Sequence, residues 1–145
     1  MQFLKEYIDI IIFIILGFMA FIALWCVIER ILFLRKINFD DYKNQNEFED
    51  SISENLTTLY IIYSNAPYVG LLGTVIGIMI TFYDMGMVGN IDVKSVVSGL
   101  SLALKATALG LFVAIPSLMA YNALLRKINL LSSRYASRIN SGKIA

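Results

Sequence analysis

The sequence has no histidine and a single cysteine, Cys26, so the side chains that most often bind zinc and other transition metals are nearly absent. One cysteine also excludes a disulfide framework within one chain. There is no glycine-rich phosphate loop, because Gly70, Gly73 and Gly77 lie within apolar sequence. The chain therefore offers no support for an enzyme, and we expect neither a metal nor a cofactor.

Charged residues are scarce as well: they make up 16% of the 145 residues, against 58% hydrophobic residues and a mean hydropathy of +0.70. Lys and Arg form no dense cluster of the kind that binds nucleic acid. Uncharged runs of 19, 29 and 20 residues lie at 10–28, 55–83 and 106–125, and about 20 apolar residues cross a bilayer. The sequence predicts an all-α membrane protein, a single membrane domain over 1–145 with spans at about 9–29, 60–84 and 97–125.

Lys and Arg are unevenly distributed around these spans. One precedes the first span, four lie between the first and second, one lies between the second and third, and five follow the third. Positive charge favours the cytoplasmic side. We therefore expect a periplasmic N-terminus, a cytoplasmic loop at 30–56 and a cytoplasmic tail at 126–145.

The second and third membrane helices are expected to be long and to extend into the cytoplasm. Phe48, Ile52, Leu56 and Leu59 recur at helical spacing, so the second helix is predicted to begin near residue 47, with Asn46 and Glu49 as a weak cap. The third helix continues as an apolar stripe formed by Leu124, Ile128, Leu131, Tyr135 and Ile139. The basic tail can lie on anionic membrane lipid or pack against the acidic helix around residue 50, and the complementary charges favour packing. Residues 84–94, with Gly86, Gly89 and Asn90, indicate a turn that makes these two helices antiparallel neighbours.

Each of these two helices has one face formed by small and hydroxyl residues. At 100° per residue, two sets fall within arcs of about 100° and about 80°: Ala66, Gly70, Gly73, Thr74, Gly77 and Thr81, and Gly99, Ala103, Thr107, Gly110, Ala114 and Ser117. Small faces let helices approach closely in lipid. We assign close helix packing to Gly70, Gly73, Gly77, Ala103, Gly110 and Ala114.

Thr74 and Thr107 lie midway along the two faces, and two interpretations are open. Their hydroxyls can return hydrogen bonds to their own backbone, or they can face a narrow interior and bind water or a polar group of a partner. No Asp, Glu or His lies within the three apolar runs. Because a proton-driven protein needs a titratable group in the membrane, a second polypeptide would have to supply it.

Lys105 is the one charged residue within the third span. It lies about 160° round the helix from Thr107, so the two side chains cannot share one line of contacts. The lysine can extend towards the outer surface and keep its charge near water. The alternative is an electrostatic role inside the membrane.

The segments APYVGLLGTVIGI and ALKATALGLFVAIPSLMAYN resemble the ExbB, TolQ and MotA family of proton-driven motor subunits, and the similarity spans residues 65–122. Within the family the chain is most similar to ExbB, because MotA proteins have a much larger cytoplasmic region than 30–54 could supply, although this region is also short for ExbB; TolQ remains an alternative. A different class, a membrane scaffold that transduces no energy, would use the small faces for packing alone.

The resemblance implies a homo-oligomeric, pentameric ring in the bacterial inner membrane. It implies an ExbD-like single-span partner that contributes an essential aspartate, TonB as a third component, and energy from the proton gradient for nutrient import across the outer membrane. Thr74 and Thr107 match family positions that face this aspartate along the proton pathway. The sequence departs from the family at Leu102, where ExbB and TolQ proteins commonly have a glutamate.

Overall fold

The computed structural model describes residues 2–89 and 92–144. Its elements in chain order are α1 (Gln2–Arg35), a short 3₁₀ turn (Phe39–Asp41), α2 (Gln45–Ile52), α3 (Leu56–Val88) and α4 (Val93–Ile144). Among the described residues, three helices are long and apolar enough to cross a membrane, and they are α1, α3 and α4. This confirms the prediction of an all-helical chain with three membrane-spanning helices.

α3 and α4 form a long antiparallel hairpin with a short link. α3 ends at Gly89, whose left-handed φ of 75° suits a residue without a Cβ, and the Gly89 N–H donates to the Met85 carbonyl. The Asp92 carboxylate accepts hydrogen bonds from the Lys94 N–H and the Ser95 hydroxyl at the start of α4. The predicted turn at 84–94 was therefore too long, because 84–88 are helical; Asn90 lies outside the described residues.

α1 packs along one side of this hairpin. Ile12 and Leu16 of α1 are buried against Ala66 of α3 and against Ala106 and Ala114 of α4. The rest of the α1 surface is apolar and uncovered, with Phe18, Phe21 and Trp25 each more than 60% exposed. α1 is thus the peripheral helix of the chain, and only one side of the α3–α4 hairpin is covered by it.

The helix around residue 50 is separate from α3, which corrects the prediction of one helix beginning near residue 47. α2 stops at Ile52, and Asn55 takes a left-handed φ of 64° before α3 begins at Leu56. Phe48, Ile52, Leu56 and Leu59 are nonetheless all buried, because α2 and α3 place them in one core. The cap is Asn44, whose side chain accepts from the Glu47 N–H, two residues before the predicted Asn46.

The C-terminal half of α4 packs against α2 and the turn before it, as the sequence predicted. At 1.5 Å per residue the 52 residues of α4 extend about 78 Å, more than twice the roughly 30 Å hydrocarbon core. We call the region where α2 meets α4 the α2 end of the molecule. The apolar stripe predicted on α4 is buried or half-buried here: Leu124, Ile128, Leu131, Tyr135 and Ile139.

Aromatic packing, polar hydrogen bonds and an ion pair all contribute to this contact. The Phe48 and Tyr135 rings stack with centroids 4.3 Å apart, and the Tyr135 hydroxyl donates to the Tyr42 carbonyl. An exposed ion pair, Arg138 to Asp40 at 2.7 Å, connects α4 to the 3₁₀ turn. Glu49 accepts hydrogen bonds from the Gln45 amide and the Ser132 hydroxyl, which hold the pKa of its carboxyl below the usual range.

Candidate functional site

The two small faces meet inside the hairpin, and the backbones are closest at Gly70 and Gly110. A Cβ on Gly70 would lie 2.7 Å from the Ala106 carbonyl oxygen and 3.2 Å from the Gly110 Cα. A Cβ on Gly110 would lie 2.7 Å from the Ala66 carbonyl oxygen. Gly73 and Gly77 repeat the arrangement against the Cβ atoms of Ala106 and Ala103. The α3 and α4 backbones can come this close only because Gly70 and Gly110 have no side chain. The short distance between the helices brings the two threonines together.

Thr74 and Thr107 lie side by side across this crossing, and their hydroxyls are in direct contact. The buried Thr74 hydroxyl also reaches the Ala103 carbonyl at 2.9 Å and the Gly70 carbonyl at 3.3 Å. The half-buried Thr107 hydroxyl lies 3.4 Å from the Gly70 carbonyl. A hydroxyl has one proton and two lone pairs, so Thr107 keeps accepting capacity for water or a protonated carboxyl group.

Both threonines lie at the edge of the hairpin that α1 does not cover. Gly73 and Ala106 face α1, since a Cβ on Gly73 would contact Ile12 and Ala106 packs in the same cluster. At 100° per residue, Thr74 lies about 100° round α3 from Gly73, and Thr107 lies about 100° round α4 from Ala106. We call this uncovered edge the open side of the hairpin.

Lys105 does not join the threonines. It is exposed, and its ammonium nitrogen lies 5.9 Å from the centre of the Phe13 ring of α1. The side chain thus extends along the α1 side of α4, where an aromatic ring can stabilise a cation. Leu102, one turn away, is 45% exposed and lines a cavity of about 700 Å³ at the end opposite α2.

Four carboxylates line that cavity, from the N-terminal part of α1 and from both sides of the short link: Glu6, Asp9, Asp84 and Asp92. Lys94 is the basic residue among its lining residues. Within 2–89 and 92–144, no three His, Cys, Asp or Glu side chains are grouped so that they could hold a metal ion.

Sequence reasoning missed a buried arginine near the α2–α3 break. Arg30 was expected at the end of the first span, but α1 continues to Arg35 and Arg30 is 1% exposed. Its guanidinium pairs with Glu29 and donates to the Ser51 carbonyl at 2.6 Å. The Asn55 amide donates to the same Glu29 carboxylate at 3.0 Å. α1 is thereby attached to the break between α2 and α3.

A cluster of three tyrosines was also missed. Tyr60 and Tyr63 of α3 and Tyr121 of α4 pack with ring centroids 5.0 to 5.9 Å apart. The available signal was spacing: Tyr63 precedes Thr74 by eleven residues, just over three helical turns, so both side chains share a face.

Comparison with known proteins identifies relatives in a single family of membrane proteins. The model of the MotA/TolQ/ExbB proton channel family matches residues 40–137. The chain is 56% identical over 135 residues to the biopolymer transport protein ExbB of Helicobacter pylori strain J99, covering 93% of each chain. It is 48% identical to ExbB of Aquifex aeolicus, over 88% of this chain and 86% of that one. It is 41% identical to the Tol-Pal system protein TolQ of Pseudomonas aeruginosa, over 60% of this chain and 38% of TolQ.

Proposed function

The chain belongs to the MotA/TolQ/ExbB proton channel family, and we propose that it is the ring-forming subunit of a TonB-energising complex. It is a multi-pass membrane protein with three apolar helices. In the proposed complex, five copies surround an ExbD-like single-span partner, and proton flow through the assembly powers TonB and nutrient import across the outer membrane. The similarity to proteins named ExbB, which covers 86–93% of each chain, supports this role.

We propose that the protein lies in the bacterial inner membrane with its N-terminus in the periplasm and its C-terminus in the cytoplasm. The α2 end is then cytoplasmic, together with the projecting part of α4. The clustering of Lys and Arg in the first loop and the tail supports this orientation.

The open side of the hairpin is proposed to line the pore. α1 has a large apolar surface suited to lipid, so the opposite side of each protomer is the one available to a central partner. The single observation that carries the proposal is the contact between the Thr74 and Thr107 hydroxyls at the edge of that side. No carboxylate lies in the apolar runs, so the titratable group is assigned to the partner, with Thr107 accepting a hydrogen bond from its protonated form.

A TolQ-like role in the Tol-Pal envelope system is the second candidate. The observation that favours it is the 41% identity to TolQ over 87 residues. That match covers only 38% of TolQ, whereas the ExbB proteins match along most of their length. We therefore place the ExbB role first.

Native mass spectrometry of the chain co-expressed with the aspartate-bearing, single-span protein encoded beside it tests the assembly. We expect a complex of five copies of this chain with the partner bound. Monomers without the partner would overturn the proposal. Complementation of strains that lack ExbB or TolQ then separates the two roles, because restored siderophore uptake supports the first and restored detergent resistance supports the second.

A further inference from the structure

The tyrosine cluster lies on the open side of the hairpin, nearer the α2 end than the threonine pair. Tyr63 lies about 20° round α3 from Thr74, and Tyr121 lies about 40° round α4 from Thr107. At 1.5 Å per residue, the cluster is about 16 to 21 Å from the threonine pair along the helices. The two groups therefore occupy the same edge of the hairpin at different depths.

A groove continues from the cluster towards the α2 end. It has a volume of about 210 Å³ and is lined by Ser53, Leu56, Thr57, Tyr60 and Tyr121. Four of these five residues carry a hydroxyl group. A polar groove of this kind can hold several water molecules, since each occupies about 30 Å³ in the liquid and needs polar partners.

The packing of the three rings differs from that of tyrosines that anchor a helix at the membrane surface. Anchoring tyrosines place amphipathic rings among the lipid headgroups. Here the rings contact one another across two helices, and Tyr63 and Tyr121 are half-buried. Tyr68 provides the contrast: it is 68% exposed and lies about 120° round α3 from Thr74.

We propose that Tyr60, Tyr63, Tyr121 and the adjoining groove form the exit of the proton path at the α2 end. The inference rests on the proposed function. A phenol hydroxyl can accept a hydrogen bond from a hydronium ion, take its proton and release its own proton to the next water. The proton then moves on while each tyrosine ends neutral, so the relay needs no other reactant.

The test is proton flux into proteoliposomes that contain the complex of this chain with its aspartate-bearing partner, driven by a potassium diffusion potential and reported by a trapped pH dye. The variant Y60F/Y63F/Y121F keeps all three rings and removes three hydroxyls. We expect its flux to fall about fivefold or more, as the loss of a hydrogen bond in the path predicts. The matched control is Tyr68→Phe, which removes a hydroxyl from another face of α3 and should leave the flux unchanged.

Wild-type flux in the triple variant, or an equal loss in Tyr68→Phe, would overturn the assignment while leaving the proposed function intact. A wild-type complex that conducts no protons would instead overturn the proposed function and this inference with it. If the triple variant fails to bind the partner, Tyr60→Phe replaces it, because Tyr60 is 49% exposed and tolerates the change. A reduced flux in that variant supports the exit, and an unchanged flux contradicts it.

Discussion

The closest approach of α3 and α4 makes Gly70→Ala the most informative single substitution for the fold. The added methyl group would meet three backbone atoms: the Ala106 carbonyl oxygen at 2.7 Å, the Thr107 Cα at 3.1 Å and the Gly110 Cα at 3.2 Å. Backbone atoms cannot rotate away as a side chain can, so the helices must separate. Overpacking of this kind costs about 1–3 kcal/mol, which lowers Tm by roughly 3–10 °C in a chain of this size.

The assay is thermal unfolding of the purified protein in detergent, followed by circular dichroism. Gly86→Ala is the matched control, because it is also in α3 and its Cβ would meet nothing within 4 Å. Alanine favours a helix over glycine by about 1 kcal/mol, so the control should be as stable as the wild type or more so. A Gly70→Ala protein as stable as Gly86→Ala would refute the account of the crossing.

Two further predictions concern the α2 end. Arg30→Ala leaves the Ser51 carbonyl without its side-chain donor and the partly exposed Glu29 with only the Asn55 amide, and it should cost about 2–4 kcal/mol in unfolding experiments. The exposed Arg35→Ala should change stability by less than about 0.5 kcal/mol, and equal effects would contradict the burial of Arg30. Glu49 has a lowered pKa, so its hydrogen bonds with Gln45 and Ser132 stabilise the fold above its unfolded pKa and are lost as the pH falls through its folded pKa. Proteolysis of the segment 40–54, which contains α2, should therefore accelerate below about pH 4, and Glu49→Gln should reduce this pH dependence. An unchanged acid response in Glu49→Gln would show that other carboxylates control it.

The face on which α3 and α4 pack could be predicted from the sequence, because helix packing in lipid depends on small residues. Helices approach closely where their small residues align, and Gly70 and Gly110 do meet in the structure. The burial of Phe48 and Leu59 followed from periodicity for a similar reason. Periodicity reports which residues are buried together, but it does not reveal that Asn55 interrupts the helix between them.

Arg30 depended on tertiary contacts that no local pattern contains, and spacing placed Tyr63 on the face of Thr74 without revealing its contact with Tyr121 of α4. A charged residue at the end of an apolar run is ordinarily solvated, but Ser51 and Glu29 supply hydrogen-bond partners that allow Arg30 to be buried. Complementary charge correctly predicted that the tail packs against α2, but charge is a minor part of the contact. Among the described residues, charge contributes the exposed ion pair of Arg138 with Asp40, whereas Phe48 and Tyr135 stack within a buried apolar core.

The central claim is that the two threonine hydroxyls serve proton transfer as well as packing. Proton flux through the partner-bound complex should fall about tenfold or more in T74V/T107V, since a hydrogen bond to a charged or protonated group contributes about 1.5–3 kcal/mol. The variant T74S/T107S keeps both hydroxyls and should retain flux, and both variants should still bind the partner. Full flux in a partner-bound T74V/T107V complex would contradict the claim and confine these residues to helix packing.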